Sequence, residues 1–453
     1  MRYALSDIPF IKRLLRSRWP QWNLTATLLL FFVLAIIAGL VGTPAGNRNF
    51  CIVFVWIVWL ALLILLLVPF AGRLWCGVCP IPAPGEWLQR RALVQPRPGG
   101  KLYTLGVKWP RALRNIWLQN AGFLGVALFS IIILTTPSAT ALVLLGFVIV
   151  AVGASLVFER RTFCRYLCPV GGFIGLYSQV APIELRVKDA AVCASHTDKT
   201  CYTGSDDGYG CPWLLFPGGL TNNTTCGLCT ECLKTCTRDN IAIFVRQPGA
   251  DLLKTTGRKL DEAYKGLIML ACAFIYSAVL SGPWGALKET AAAVGTPGWF
   301  AYAGIFLALN LAILPGLFWL AVRSGRWISK PASTTMRALF ADYAAVLIPL
   351  GLTAWVAFTL SFALINFSYA WPVLSDPLGW GWNLLGTAGL KWTPYIPGFV
   401  PALQIPVLLI GLTAAIGLAL RTTRQHGQSP WAAAPVAAFC TAATVGLLGL
   451  YLA

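Results

Sequence analysis

Nine apolar runs constrain this chain more than any other feature: about 23–42, 50–71, 118–136, 139–157, 265–282, 300–322, 338–367, 402–420 and 431–452. A helix needs roughly 20 apolar residues to cross a bilayer. In lipid such a run must be helical, because a helix satisfies its own backbone polar groups within one segment. Composition agrees: 57% of the 453 residues are hydrophobic and 11% are charged, where a soluble domain carries about 25% charge. The expected fold is an all-α multi-pass membrane helix bundle. Pro349 inside the long seventh run predicts a tilt or kink there.

A net charge of +19 suggests nucleic acid until the charges are placed. With the N-terminus cytoplasmic, the segments 1–22, 72–117, 158–265, 323–337 and 421–430 lie inside and hold 32 of the 35 Lys and Arg. Only Arg48, Lys288 and Lys391 fall outside. That asymmetry follows the positive-inside rule. The basic excess therefore reads as topology and contact with anionic lipid, and no nucleic-acid partner is expected. The basic start, Arg2 to Arg18, leads into a run of full spanning length without a small-residue cleavage site, so the first helix is expected to be retained.

Three parts follow along the chain. Residues 1–157 form four helices around a basic inner loop. Residues 158–264 are the one sizeable polar stretch, and residues 265–453 form five further helices. The first half contains a repeat. One helix pair ends in Gly72-Arg-Leu-Trp-Cys76-Gly-Val-Cys79-Pro80, and a second ends in Arg160-Arg-Thr-Phe-Cys164-Arg-Tyr-Leu-Cys168-Pro169. Helix-pair duplication is common in membrane proteins. Here the duplicated element is a pair of metal-ligand residues.

Eleven of the 14 cysteines lie between Cys76 and Cys236, on the expected inner face. A reducing compartment disfavours structural disulfides and leaves metal binding as the use for such a cluster. Cys226-Gly-Leu-Cys229-Thr-Glu-Cys232-Leu-Lys-Thr-Cys236 has the C-x2-C-x2-C-x3-C spacing of a bacterial ferredoxin, in which three thiolates wrap one cube and the fourth serves a neighbouring cluster. Zinc modules instead set two pairs well apart. Upstream, Cys193, His196 and Cys201 read as a looser first run, with Cys211-Pro212 as its donated ligand. On that reading Cys226, Cys229, Cys232 and Cys211 hold one [4Fe–4S] cluster. Cys193, Cys201 and Cys236 hold a second. His196 is either its remaining ligand or a solvated loop residue. Ile183–Val187 and Ile241–Val245 flank the set and alternate like the short strands of a two-cluster ferredoxin, giving an inserted α+β domain. Cys76, Cys79, Cys164 and Cys168 remain. A third [4Fe–4S] cluster, a structural zinc, or two redox-active thiol pairs would each use them. Cys51, Cys272 and Cys440 lie in or beside spans and read as packing residues.

Two membrane-edge Cys-Pro motifs followed by a ferredoxin run resemble the NapH/NosR-like membrane polyferredoxins, a family that includes the CcoG-type proteins. The resemblance covers roughly residues 20–260. It implies cytoplasmic [4Fe–4S] clusters in a prokaryotic inner membrane. It also implies electron exchange between a soluble carrier or the quinone pool and other redox subunits. Two features depart from the family: Cys76 and Cys79 are separated by two residues where three are usual, and the first ferredoxin run is stretched and carries His196. The five C-terminal helices lie outside the family core.

No haem is expected, since His196 and His426 are the only histidines and neither lies in a span. Asp342 and Asn310 are intramembrane polar candidates for a quinone or proton role. Alternatively, Asp342 favours a helix N-terminus and Asn310 bonds across helices. Trp371, Trp380, Trp382 and Trp392 read as an interfacial belt. Two functions compete with electron transfer. One is a transporter with a cytoplasmic cluster domain, and the other is a metal-handling or assembly factor that uses the Cys-Pro pairs as soft ligands.

Overall fold

The computed structural model describes residues 2–96, 102–206, 208–281, 285–330 and 334–452. Residue 282, the last read into the fifth run, lies outside them. Eight helices among the described residues are long and apolar enough to cross a membrane: Trp19–Val41, Phe50–Ala71, Pro137–Val157, Leu260–Leu280, Pro297–Ile328, Met336–Ser375, Pro397–Gln425 and Pro430–Leu452. Their outward faces carry Leu30, Ile149, Ile305 and Ile410 exposed, as helices surrounded by lipid require.

The ninth expected span, 118–136, is not one continuous helix. It forms Trp117–Leu128 and Ser130–Thr135, interrupted where Phe129 leaves the helical basin (φ −94°, ψ 14°). The buried Ser130 just past the break hydrogen-bonds Tyr276. Thr136 is extended (φ −105°, ψ 112°), as the residue before Pro137 should be. Hydropathy registers an apolar run, but it is blind to these backbone events.

The chain folds as two compact units: Met1–Ile36, Leu66–Gln119 and Ala141–Asp251 in one, Ile37–Leu65, Asn120–Thr140 and Leu252–Ala453 in the other. All eleven clustered cysteines belong to the first. It contains an antiparallel three-stranded sheet, order β1-β3-β2, of β1 (Tyr3–Ala4), β2 (Ile183–Val187) and β3 (Ile241–Val245). Strands β2 and β3 occupy the residues that the alternation marks, with Leu185 opposite Ile243. One sheet face packs Leu185, Ile241 and Ile243 onto Leu228, Leu233, Cys201 and Cys232. The polar face is not simply solvated. Glu184 is buried against Arg2 and Arg246, both at 2.8 Å, and Asp251 lies 2.6 Å from Arg246.

The N-terminal segment grips the cysteine run. Helix Pro9–Arg16 sends Lys12 and Arg16 to Asp239. The Thr230 hydroxyl donates to the Leu15 carbonyl (3.1 Å), and Arg18 pairs with buried Glu231 (3.1 Å). Farther along, Gln21 donates through Nε2 to the Gly77 carbonyl (2.8 Å) and accepts from Lys234 (3.2 Å).

In the second unit the spans pack on small residues and buried polar contacts. Trp355 donates to the Met269 carbonyl (2.9 Å) and Gln404 to the Ala357 carbonyl (2.8 Å). Asn310 accepts from the Cys272 thiol (3.4 Å), so it does bond across helices. Asp342 does not start its own helix, but it binds a backbone amide two residues before helix Leu260–Tyr276. It is the seventh residue of Met336–Tyr343, where it accepts from the Arg258 amide (3.0 Å) and meets His426 Nε2 at 3.1 Å. Cys51, Cys272 and Cys440 are fully buried packing residues. Trp371, Trp380, Trp382 and Trp392 are exposed.

Candidate functional site

Cys211, Cys226, Cys229 and Cys232 line one cavity with Leu185, Trp213, Leu215, Pro217, Leu220 and Thr230. The backbone bends sharply to present these thiols. Leu228 and Thr230, on either side of Cys229, hold left-handed φ values of 50° and 60°, which costs a non-glycine residue about 1–3 kcal/mol each. Burial pushes Cys226 and Cys229 up to about 11 and Cys232 well above its ordinary value, and neighbouring cysteines add to each shift. Without metal these groups are neutral thiols, so loading them with iron must release protons.

Cys193, Cys201 and Cys236 form a second neighbourhood. Burial raises Cys201 to about 11, and repulsion from Cys236 and Cys193 adds to it. Asn240 joins the other two: its amide N–H donates to Cys236 Sγ (3.4 Å) and its side chain to Cys193 Sγ (3.3 Å). His196 is half-buried on the same loop, with Nδ1 2.7 Å from the Val192 carbonyl.

The repeat cysteines form a third neighbourhood. Cys79 is raised first by burial and then by Cys168 and Cys76. Cys164 is raised by burial and by Cys168, Cys79 and Cys76, against the pull of Arg161. Cys168 caps helix Pro169–Tyr177, its Sγ accepting from the Gly171 amide at 3.2 Å, which offsets part of a burial shift to about 11. A Cβ on Gly77 would come 3.0 Å from the Gly227 carbonyl, so the first helix end abuts the Cys226 run. A polar cleft beside this contact is lined by Arg18, Gln21, Glu86, Arg90, Arg161 and Glu231. Burial favours protonating Glu231, but Lys234, Arg90 and Arg18 outweigh it and hold the carboxyl at about 2.

All 14 cysteines are free thiols. Among the described residues no three or more His, Cys, Asp or Glu side chains are drawn together tightly enough for a single metal ion. The grouping into three sets rests instead on the shared cavity, on mutual electrostatic influence and on N–H···S bonds. Such bonds and such burial are what a thiolate-bound iron–sulfur cluster uses. Sequence reading brought the cysteines forward but missed Asn240 and Glu86, which stand in no motif, and Glu231, a spacer residue of the Cys226 run. It also gave no role to Arg73 and Arg161, although both stand in the repeat.

A bundle of membrane-type helices with buried, grouped cysteines fits the class of membrane metal–thiolate proteins, iron–sulfur proteins among them. The comparisons sharpen that class. Residues 52–100 and 140–188 each match the family model of a 4Fe-4S binding domain. The matched stretches contain Cys76 with Cys79 and Cys164 with Cys168. No curated protein and no solved structure matches the chain.

Proposed function

We propose that this chain is a membrane-bound electron carrier holding three [4Fe–4S] clusters. The observation that carries the reading is the cavity lined by Cys211, Cys226, Cys229 and Cys232; the twofold family match over the repeat extends it to Cys76, Cys79, Cys164 and Cys168. Cys193, Cys201, Cys236 and His196 would hold the remaining cluster. The Val192 carbonyl beside Nδ1 fits a histidine that ligates through Nε2, because metal-bound imidazoles commonly donate their other N–H to such an acceptor. Bound clusters supply one-electron exchange at thiolate-ligated iron.

Residues 158–264 act as an inserted two-cluster ferredoxin-like domain between membrane regions 1–157 and 265–453. The resemblance to the NapH/NosR-like polyferredoxins supports a path between a soluble carrier or the quinone pool and a redox subunit. The distribution of basic residues supports a cytoplasmic N-terminus and cytoplasmic clusters. Protein purified anaerobically from the membrane should contain about twelve iron and twelve acid-labile sulfide per chain, and should be reduced and reoxidised reversibly. Tightly bound zinc without sulfide would overturn the reading.

A further inference from the structure

The repeat places an arginine three residues before the first cysteine of each pair: Arg73 before Cys76 and Arg161 before Cys164. Both are buried. Each reaches across to the opposite repeat. Arg161 donates through Nη1 to the Cys76 carbonyl (2.6 Å). Arg73 lies against the turn after Cys168, where a Cβ on Gly171 would stand 3.5 Å from Nη2 and one on Gly175 3.0 Å from Nη1. Arg73 also donates to the Thr224 carbonyl, two residues before Cys226, and its guanidinium sits 4.6 Å over the Trp213 ring. Arg73 therefore favours the thiolates of Cys168 and Cys226, and Arg161 those of Cys79, Cys164 and Cys229.

The two differ in counter-charge. Glu86 accepts from Arg161 Nε at 2.9 Å and from Nη2 at 2.5 Å. Among the described residues no carboxylate forms an ion pair with Arg73, and its Nε and Nη2 are buried without hydrogen-bond partners. A guanidinium stays protonated, and an uncompensated buried charge is strongly destabilising. The cysteine sets on either side are where an anion would sit: four thiolates around an iron–sulfur core carry net negative charge, which grows on reduction.

Resting on the cluster assignment above, we propose that Arg73 is the counter-charge shared by the Cys76/Cys79/Cys164/Cys168 centre and the Cys226 centre, raising the reduction potential of both. Arg161, which donates twice to the Glu86 carboxylate that it shares with Arg90, contributes less. The test is a redox titration followed by electron paramagnetic resonance, with iron and sulfide measured on the same samples. Arg73→Gln should keep full iron and sulfide and weaken electron affinity at one or both centres about tenfold, which is 59 mV for a one-electron couple. Arg73→Lys, which keeps the charge, should titrate like the wild type. Glu86→Gln, which uncovers Arg161 and Arg90, should shift the potentials upward. Unchanged potentials in a fully loaded Arg73→Gln protein would overturn the proposal. Should that variant fail to assemble, Arg73→Lys decides: wild-type potentials support the shared charge, and lowered ones overturn it. Wild-type protein lacking sulfide would instead defeat the cluster assignment itself.

Discussion

The two Cys-Pro helix ends show how a duplicated element can diverge in backbone and charge while keeping the exposure of its cysteines. In the first, two residues separate Cys76 from Cys79 and an α-helical turn, Leu74–Val78, carries Cys76. In the second, three residues separate Cys164 from Cys168, and Phe163–Leu167 widens into a π turn closed by the Cys168 amide on the Phe163 carbonyl (2.9 Å). A π turn accommodates one extra residue in a helix. Both ends consequently bury the first cysteine and leave the second half-buried. Spacing is thus a poor guide to equivalence, because the helix absorbs the extra residue.

If both ends serve one centre, losing one ligand from each should have the largest effect. The double variant Cys79→Ser/Cys168→Ser should lose about four iron and four sulfide, while the spectra of the other two clusters persist. Full retention of iron would separate the two ends and leave the repeat without a cluster.

The charge environment offers a second test. Glu86 lies between Arg161 and Arg90, and Glu86→Leu strands a buried guanidinium at one end only. The expected cost is about 3–5 kcal/mol, read as thermal unfolding in detergent. The pH dependence has a definite sign. Burial works to raise Glu86, but Arg161 and Arg90 hold it below its ordinary value. Glu231, likewise lowered, lies at about 2. Their stabilisation is therefore complete above about 4.5 and is lost as pH falls through the folded values. The Glu86→Leu protein should show a shallower acid loss than the wild type. Identical acid profiles would remove Glu86 from this account.

The smallest effect is expected from deleting Arg165, which shortens the second spacing to that of the first. The π turn should revert to an α turn with iron and sulfide unchanged. Loss of about one cluster's iron would show that the wide turn itself is needed.

What the sequence made legible was periodic or local. Strands β2 and β3 declare themselves through alternation over five residues, and the cysteine run through its spacing. Strand β1 does not, because two residues carry no period and their partner lies about 240 residues away. The break at Phe129 is invisible to hydropathy, since Phe129 is as apolar as its neighbours. Arg73 and Arg161 were visible as repeat residues. What separates them, a carboxylate at one and none at the other, depends on Glu86, which reaches Arg161 from 75 residues away.

The pairing of Tyr3–Ala4 with Phe244–Val245 also works as a parity rule. Strands of one sheet stand on one side of a bilayer, so the chain between Ala4 and Ile183 must cross it an even number of times. Among the described residues three continuous helices of spanning length lie in that interval: Trp19–Val41, Phe50–Ala71 and Pro137–Val157. Three crossings would strand β1 on the face opposite β2. If those three cross, the interrupted pair Trp117–Leu128 and Ser130–Thr135 must complete the fourth passage, and the break at the exposed Phe129 falls at membrane depth, where its backbone groups have to find protein partners: the Phe129 amide donates to the Gly125 carbonyl (3.4 Å) and its carbonyl accepts from the Ile133 amide (3.1 Å).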